Sequence, residues 1–172
     1  MAHQPQPPYR KSRGLVLLGL IDSPNAYTTF QSISLHHIEP FTVIILIEGQ
    51  LFECRWDGQQ KHTKKLPANR PQIWSSVTLY DPEVIAKRNQ WFATWLQQHP
   101  QPTGNDILHF HQFTGDGDSH NDLRMNRNGQ MLTVSVTQMV IAEEDITMQY
   151  LDLKNNRTFV QKIIVEKTMA GR

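Results

Sequence analysis

The chain has 172 residues, 38% hydrophobic and 19% charged, and its 17 basic and 16 acidic residues leave a formal net charge of +1. That composition suits one soluble domain with room for a core, and it excludes a nucleic-acid binder working through a basic stripe. A single cysteine, Cys54, excludes an internal disulfide framework and points to a reducing, hence cytoplasmic, location.

Residues 1–10, with Pro5, Pro7 and Pro8, cannot form a helix interior and have little to bury, so an extended tail is expected. Residues 15–21 are the longest apolar run, and Gly19 interrupts it. The run is far below the roughly 20 residues a membrane helix needs, so no membrane span is expected. Residues 12–22 read instead as a short buried helix. Ser23 is then the expected N-cap of a second helix over 25–32, with Pro24 at its first position. The clusters Arg10, Lys11, Arg13 and Lys61, Lys64, Lys65 read as solvated faces, not phosphate grips.

A β region follows. Residues 42–48 are apolar and β-branched, Gly49-Gln50 can turn the chain, and residues 51–56 alternate. The alternation places Phe52, Cys54 and Trp56 on one strand face and Glu53 and Arg55 on the other, which makes Cys54 a core thiol. Asp57-Gly58 predicts a hairpin into a polar strand over 60–65. Pro67 and Pro71 break the chain before residues 73–80, which suit a strand or the loop beside it.

Asp81-Pro82-Glu83 predicts a helix start, with Asp81 as N-cap and the helix running to about residue 98. Val84, Ile85, Trp91, Phe92, Trp95 and Leu96 recur at helical spacing as one apolar face. A second helix is expected over 105–112, burying Ile107, Leu108 and Phe110. Asn128-Gly129 predicts a type I′ hairpin joining residues 123–127 to 131–137, with Leu132, Val134 and Val136 inward. Residues 146–151 and 158–165 alternate as two more strands around a turn at Asn155-Asn156. The fold class is therefore α+β, with antiparallel sheet covered by helices and a single domain over 11–172.

The loop from Gly115 to Asp122, preceded by His109 and His111, gathers the potential metal ligands. An EF-hand is excluded because its sixth and twelfth loop positions hold Asn121 and Arg127. His109 and His111 stand two apart on a helix and point in different directions, which disfavours a shared zinc ion. No metal is assigned, and the carboxylates read as turn formers bonded to local backbone.

Three segments carry a family likeness: Pro8-Tyr9-Arg10-Lys11-Ser12-Arg13-Gly14; Ile73-Trp74-Ser75-Ser76-Val77-Thr78-Leu79-Tyr80-Asp81-Pro82-Glu83; and Phe113-Thr114-Gly115-Asp116-Gly117-Asp118 running on through Asn121-Asp122-Leu123-Arg124-Met125-Asn126-Arg127. Together they resemble the bacterial branch of the NRDE family, also called the transport and Golgi organisation family, over its C-terminal two-thirds. The resemblance implies part of the αββα sandwich of an N-terminal-nucleophile hydrolase, with further strands upstream. It also implies a Cys after the initiator Met and an Asn-Arg-Asp-Glu signature. This chain opens Met1-Ala2-His3-Gln4 and has neither. Such a nucleophile is activated by its own α-amine. Ala2 has no nucleophilic side chain and Cys54 is internal, so no catalytic residue is expected here.

The resemblance makes Trp74, Ser75 and Ser76, and the loop residues Asp116, Asp118, Asn121, Asp122, Arg124 and Asn126, walls of a pocket whose hydroxyls and amides can stabilise an oxyanion. It implies an amidohydrolase or acyltransferase of which this chain is the C-terminal part. Two further readings stand beside it. One is non-catalytic binding of a hydrophobic small molecule, haem or acyl-coenzyme A, with His109 or His111 as the haem contact. The other is a structural module that self-associates through exposed sheet edges. No cofactor is assigned.

Overall fold

The computed structural model describes residues 7–76, 78–142 and 145–164. The chain divides into two compact units, Met1–Ile85 and Ala86–Arg172. Both combine helices with antiparallel strands, so the fold class is α+β.

In the first unit, α1 (Arg13–Ile21) starts where the Ser12 side chain accepts from the Leu15 amide and stops at Asp22. Helix α2 (Ala26–Ser32) is capped by Asn25, whose Oδ1 accepts from the Thr28 amide at 3.0 Å. This corrects the expectation of a Ser23 cap. The Ser23 hydroxyl donates to Leu20 O at 2.6 Å and so belongs to the end of α1. The tail is tied down at Arg10, whose amide donates to His37 O and whose guanidinium donates to Ser34 O. Residues 1–6 of the expected tail lie outside the described residues.

Three strands follow as a meander: β1 (Phe41–Ile47), β2 (Gln50–Trp56) and β3 (Lys61–Leu66), in that order in the sheet. Glu48 and Gly49 both have positive φ, 50° and 71°, the pattern of a type I′ turn whose twist suits a two-residue hairpin. At the second turn the Asp57 carboxylate accepts from the Gln59 and Gln60 amides. The register sets Cys54 between Val43 and Thr63. As expected, Phe52, Cys54 and Trp56 are buried, and they pack with Val16, Leu20 and Phe30 of the helices. Trp56 Nε1 donates to Ile38 O at 2.9 Å inside this core, so its polar edge is not buried unpaired.

Helix α1 is not buried all round, contrary to expectation. Val16 and Leu20 are buried, whereas Leu15, Leu17, Leu18 and Ile21 are exposed. One small sheet can cover only one stripe of a helix. Nor are the basic clusters simply solvated. Lys61 Nζ donates to Gln31 O at 2.8 Å and to Ile33 O, beyond the last turn of α2, and lies 5.6 Å from the Phe30 ring centre.

Helix α3 (Pro82–Gln98) starts as predicted, with Asp81 Oδ1 accepting from the Val84 amide, and carries the chain into the second unit. Helix α4 (Gly104–Phe113) opens with a reciprocal capping box between Thr103 and Asp106. It buries Leu108 and Phe110, but Ile107 is 40% exposed rather than buried. Phe110 sits among Phe92 and Trp95, ring centres 5.6 and 4.9 Å away.

The predicted strand over 131–137 is two strands. β4 (Asn126–Arg127) and β5 (Met131–Leu132) form a small hairpin through Asn128 and Gly129, with φ 54° and 72°. β6 (Ser135–Ile141), β7 (Asp145–Asp152) and β8 (Arg157–Ile164) form a separate antiparallel sheet in that order. The chain changes partners at Thr133, whose amide donates to Met125 O, and Val134, whose carbonyl accepts from Leu153. The change of sheet interrupts the alternation, so Leu132 and Val134 are exposed and only Val136 is partly buried as expected. The last expected strand residue, Val165, lies outside the described residues.

Candidate functional site

The residues singled out in the sequence fall in both units, and each group is described within its own. In the first unit, residues 73–76 form no strand. They run as a loop, with Trp74 Nε1 donating to Glu53 Oε2 at 2.8 Å. Glu53 is on the sheet face turned away from the core, where alternation placed it. The loop thereby stands beside the outward side of β1 and borders an open hollow of about 420 Å³ lined by Arg13, Phe41, Thr42, Ile44, Trp74, Ser75 and Ser76.

Arg13 is the polar group that sequence reading missed here. Its guanidinium donates to Thr78 Oγ1 at 3.3 Å, and its Nε lies 3.2 Å from Glu39 Oε2. Ser76 Oγ is 3.4 Å from the same Thr78 hydroxyl. The charged groups beside the hollow are one cation and two carboxylates: Arg13 meets Glu39, and Glu53 accepts the indole N–H and keeps its charge. The other face of the same sheet holds Cys54, fully buried, its thiol pushed up from 9.0 to about 11 by burial and then by the Glu53 charge. A thiol so placed is not a nucleophile at neutral pH.

In the second unit, the loop after α4 is built around its carboxylates. Asp116 pairs with Lys87 of α3, and its amide donates to Asp122 Oδ1 at 2.9 Å. Asp118 accepts from the His120 amide at 3.0 Å and from Asn121 Nδ2 at 2.8 Å. These bonds hold both carboxyls below the usual 3.8: for Asp116 the leading cause is Lys87, for Asp118 it is Asn121. Asn126 Oδ1 accepts from the Gly129 amide in the β4–β5 turn, and Arg124 is exposed. Each of Asp116, Asp118 and Asp122 thus bonds local backbone, as expected of turn formers. Among the described residues no three His, Cys, Asp or Glu side chains come together as metal ligands.

Beneath the loop lies a residue sequence reading overlooked. Arg88 of α3 is 6% exposed. It donates from Nε and Nη to Asn121 O at 3.2 and 3.1 Å, and from Nη2 to Asp122 O at 2.7 Å. Its signal was positional: three and four residues before Trp91 and Phe92, it occupies the apolar stripe of the helix. His109 and His111 have different surroundings, His109 against Phe113 with ring centres 4.6 Å apart and His111 edge-on to Phe110 at 5.5 Å. His111 titrates below its usual 6.5 because of the protein packed around it and then the Arg88 charge.

Among the described residues no helix is long and apolar enough to cross a membrane. No protein-family model, curated protein or solved structure matches the chain.

Proposed function

We propose that the first unit binds a small neutral molecule, an amide or a comparable carbonyl compound with a flat apolar part, and binds it without turnover. The observation that carries this reading is the hollow on the outward side of β1. Its volume lies within the range of small-molecule sites, apolar walls with a few placed polar groups being their usual make-up. Trp74 and Ile44 supply the apolar walls. Ser75, Ser76 and the Arg13 guanidinium supply donors for a carbonyl oxygen, and Glu53 holds the Trp74 indole through its N–H. The two carboxylates, Glu39 and Glu53, against the one Arg13 guanidinium favour a neutral ligand over a free carboxylate, whose negative charge they would oppose. The family resemblance supports the same choice, since it makes Trp74-Ser75-Ser76 a pocket wall in a scaffold related to amide-cleaving enzymes. The buried Cys54 favours binding over nucleophilic cleavage.

The test is ligand-observed NMR of the full chain against a set of N-acyl amides, repeated with Trp74→Leu and with the double change Ser75→Ala, Ser76→Ala. Saturable binding that both variants weaken, with no hydrolysis product after long incubation, supports the reading. Binding indifferent to both changes would place the ligand elsewhere, and cleavage of the amide would overturn the non-catalytic part.

A further inference from the structure

The sheet β6-β7-β8 has two unlike faces. One carries Gln138 and Val140 and meets α4: Gln138 Nε2 donates to Gly104 O, and a Cβ placed on Gly104 would stand 3.2 Å from Val140. Alternation turns the neighbours of those residues to the opposite face. There the register brings Met139 beside Met148 and Tyr150 beside Phe159, with Ile141 and Ile163 at one end. Met139, Ile141 and Phe159 are 55%, 62% and 56% exposed, and Met148, Tyr150 and Ile163 are also open to solvent. A contiguous apolar patch of this kind marks an interaction surface.

We propose that this face is an interface between two copies of the chain, stacked sheet on sheet. Three successive rows of the ladder carry no charged side chain, so a charged partner finds nothing to pair with. Among the described residues Arg157, in the fourth row, is the face's one basic residue, too few for an anionic membrane surface. The face itself is a suitable partner. With the two-fold axis parallel to the strands, β7 stacks on β7 and β6 on β8, which sets apolar rows on apolar rows. In the fourth row Asp152 neighbours Arg157 in the same sheet. The two-fold stands each Arg157 diagonal to the Asp152 of the other copy but also Asp152 opposite Asp152, so this rim row adds little and the three apolar rows carry the stack. The Asp152 carboxylate is itself held in its turn by the Lys154 and Asn155 amides.

The size sets the strength. Three strands at about 4.8 Å and seven residues at about 3.4 Å make a face of about 14 by 24 Å. Two such faces with their side-chain relief bury on the order of 1,000 Å², the lower bound of a specific interface. The dimer therefore dissociates on dilution.

Sedimentation velocity of the full chain over a dilution series tests this. A monomer–dimer equilibrium is expected, weakened by about tenfold or more when Met139→Lys or Phe159→Glu places a charge in the stack, and unchanged by Leu18→Lys on the exposed side of α1. Methyl NMR of the unmodified chain keeps the test independent of how those variants fold: the Met139 and Met148 methyls shift with concentration, whereas that of Met131, exposed on β5, stays put. A monomer at every concentration, a dimer broken by Leu18→Lys and not by Met139→Lys, or methyl shifts at Met131 in place of Met139 would overturn the proposal.

Discussion

Arg88 is the group on which the loop after α4 should depend most. Replacing it with Met keeps most of the aliphatic volume at a site only 6% exposed, so the change isolates the loss of the guanidinium. Three donated hydrogen bonds disappear, and the carbonyls of Asn121 and Asp122 lose their partner. A hydrogen bond from a charged group contributes roughly 1.5–3 kcal/mol, and stranding a buried acceptor costs about 1–3 kcal/mol. These overlap, and Asn121 and Asp122, which supply the carbonyls, are themselves only partly buried, so the expected loss is about 2–3 kcal/mol. Arg88→Lys should lose about half as much, because an ammonium cannot span both carbonyls as the planar fork does. Urea unfolding gives the global figure, and amide hydrogen exchange at Asn121 and Asp122, whose N–H groups donate to Asp118 O, gives the local one. His111 should also titrate closer to 6.5 in Arg88→Met, since the Arg88 charge is one cause of its depression. A stability change under about 0.5 kcal/mol with unaltered exchange at both amides would refute the argument and leave the loop held by its own carboxylates.

Three further outcomes are expected. Cys54, at about 11, has about a hundredfold less thiolate at neutral pH than a thiol at its ordinary 9.0; iodoacetamide should leave it unmodified in the folded chain and react once denaturant opens the core, and rapid native labelling would contradict its burial. Gly115→Ala places a Cβ 2.2 Å from the Asp122 carboxylate, which must withdraw from the Asp116 amide; a loss of about 1–3 kcal/mol in thermal or urea unfolding is expected, and an unchanged midpoint would show that the carboxylate moves aside at no cost. Asp118 titrates below 3.8 in the folded chain and near 3.8 when unfolded, so its stabilisation is complete above pH 3.8 and lost as pH falls through the folded value. The His120 and Asn121 amide resonances should therefore hold their folded positions above pH 3.8 and move below it; movement between pH 5 and 7 instead would assign control to another group.

What was legible in the sequence was local. Asp57-Gly58, Asn128-Gly129 and Asn155-Asn156 announced their turns because left-handed backbone restricts which residues stand there. Phe52, Cys54 and Trp56 announced the buried face because strand alternation has no tolerance for slippage. Asp81-Pro82 marked the start of α3. What was not legible depended on partners distant in the chain. Ser23 and Asn25 are both competent caps, and only the engagement of Ser23 with Leu20 decides between them. The split at Thr133 and Val134 is a choice of sheet, invisible to a pattern that reads one strand at a time. Trp74-Ser75-Ser76 was singled out as a pocket wall, but Arg13, which completes the hollow, comes from α1, about sixty residues earlier in the chain. Arg88 looked like one more charge on a long helix because its partners are carbonyls, which carry no side-chain signature.

Lys61 links events that chain order separates. Seven residues are too few for α2 to persist alone in water, and the carbonyls of Gln31 and Ile33 at its end take their hydrogen bonds from a strand residue about thirty positions later. The growing chain reaches α2 well before Lys61, so these two carbonyls gain this partner only once β3 has docked on β2. The closing of the meander and the last bonds at the end of α2 are then coupled. Changing Lys61 to Met should hasten unfolding of the first unit while leaving its folding rate nearly unchanged, the signature of a contact made after the barrier.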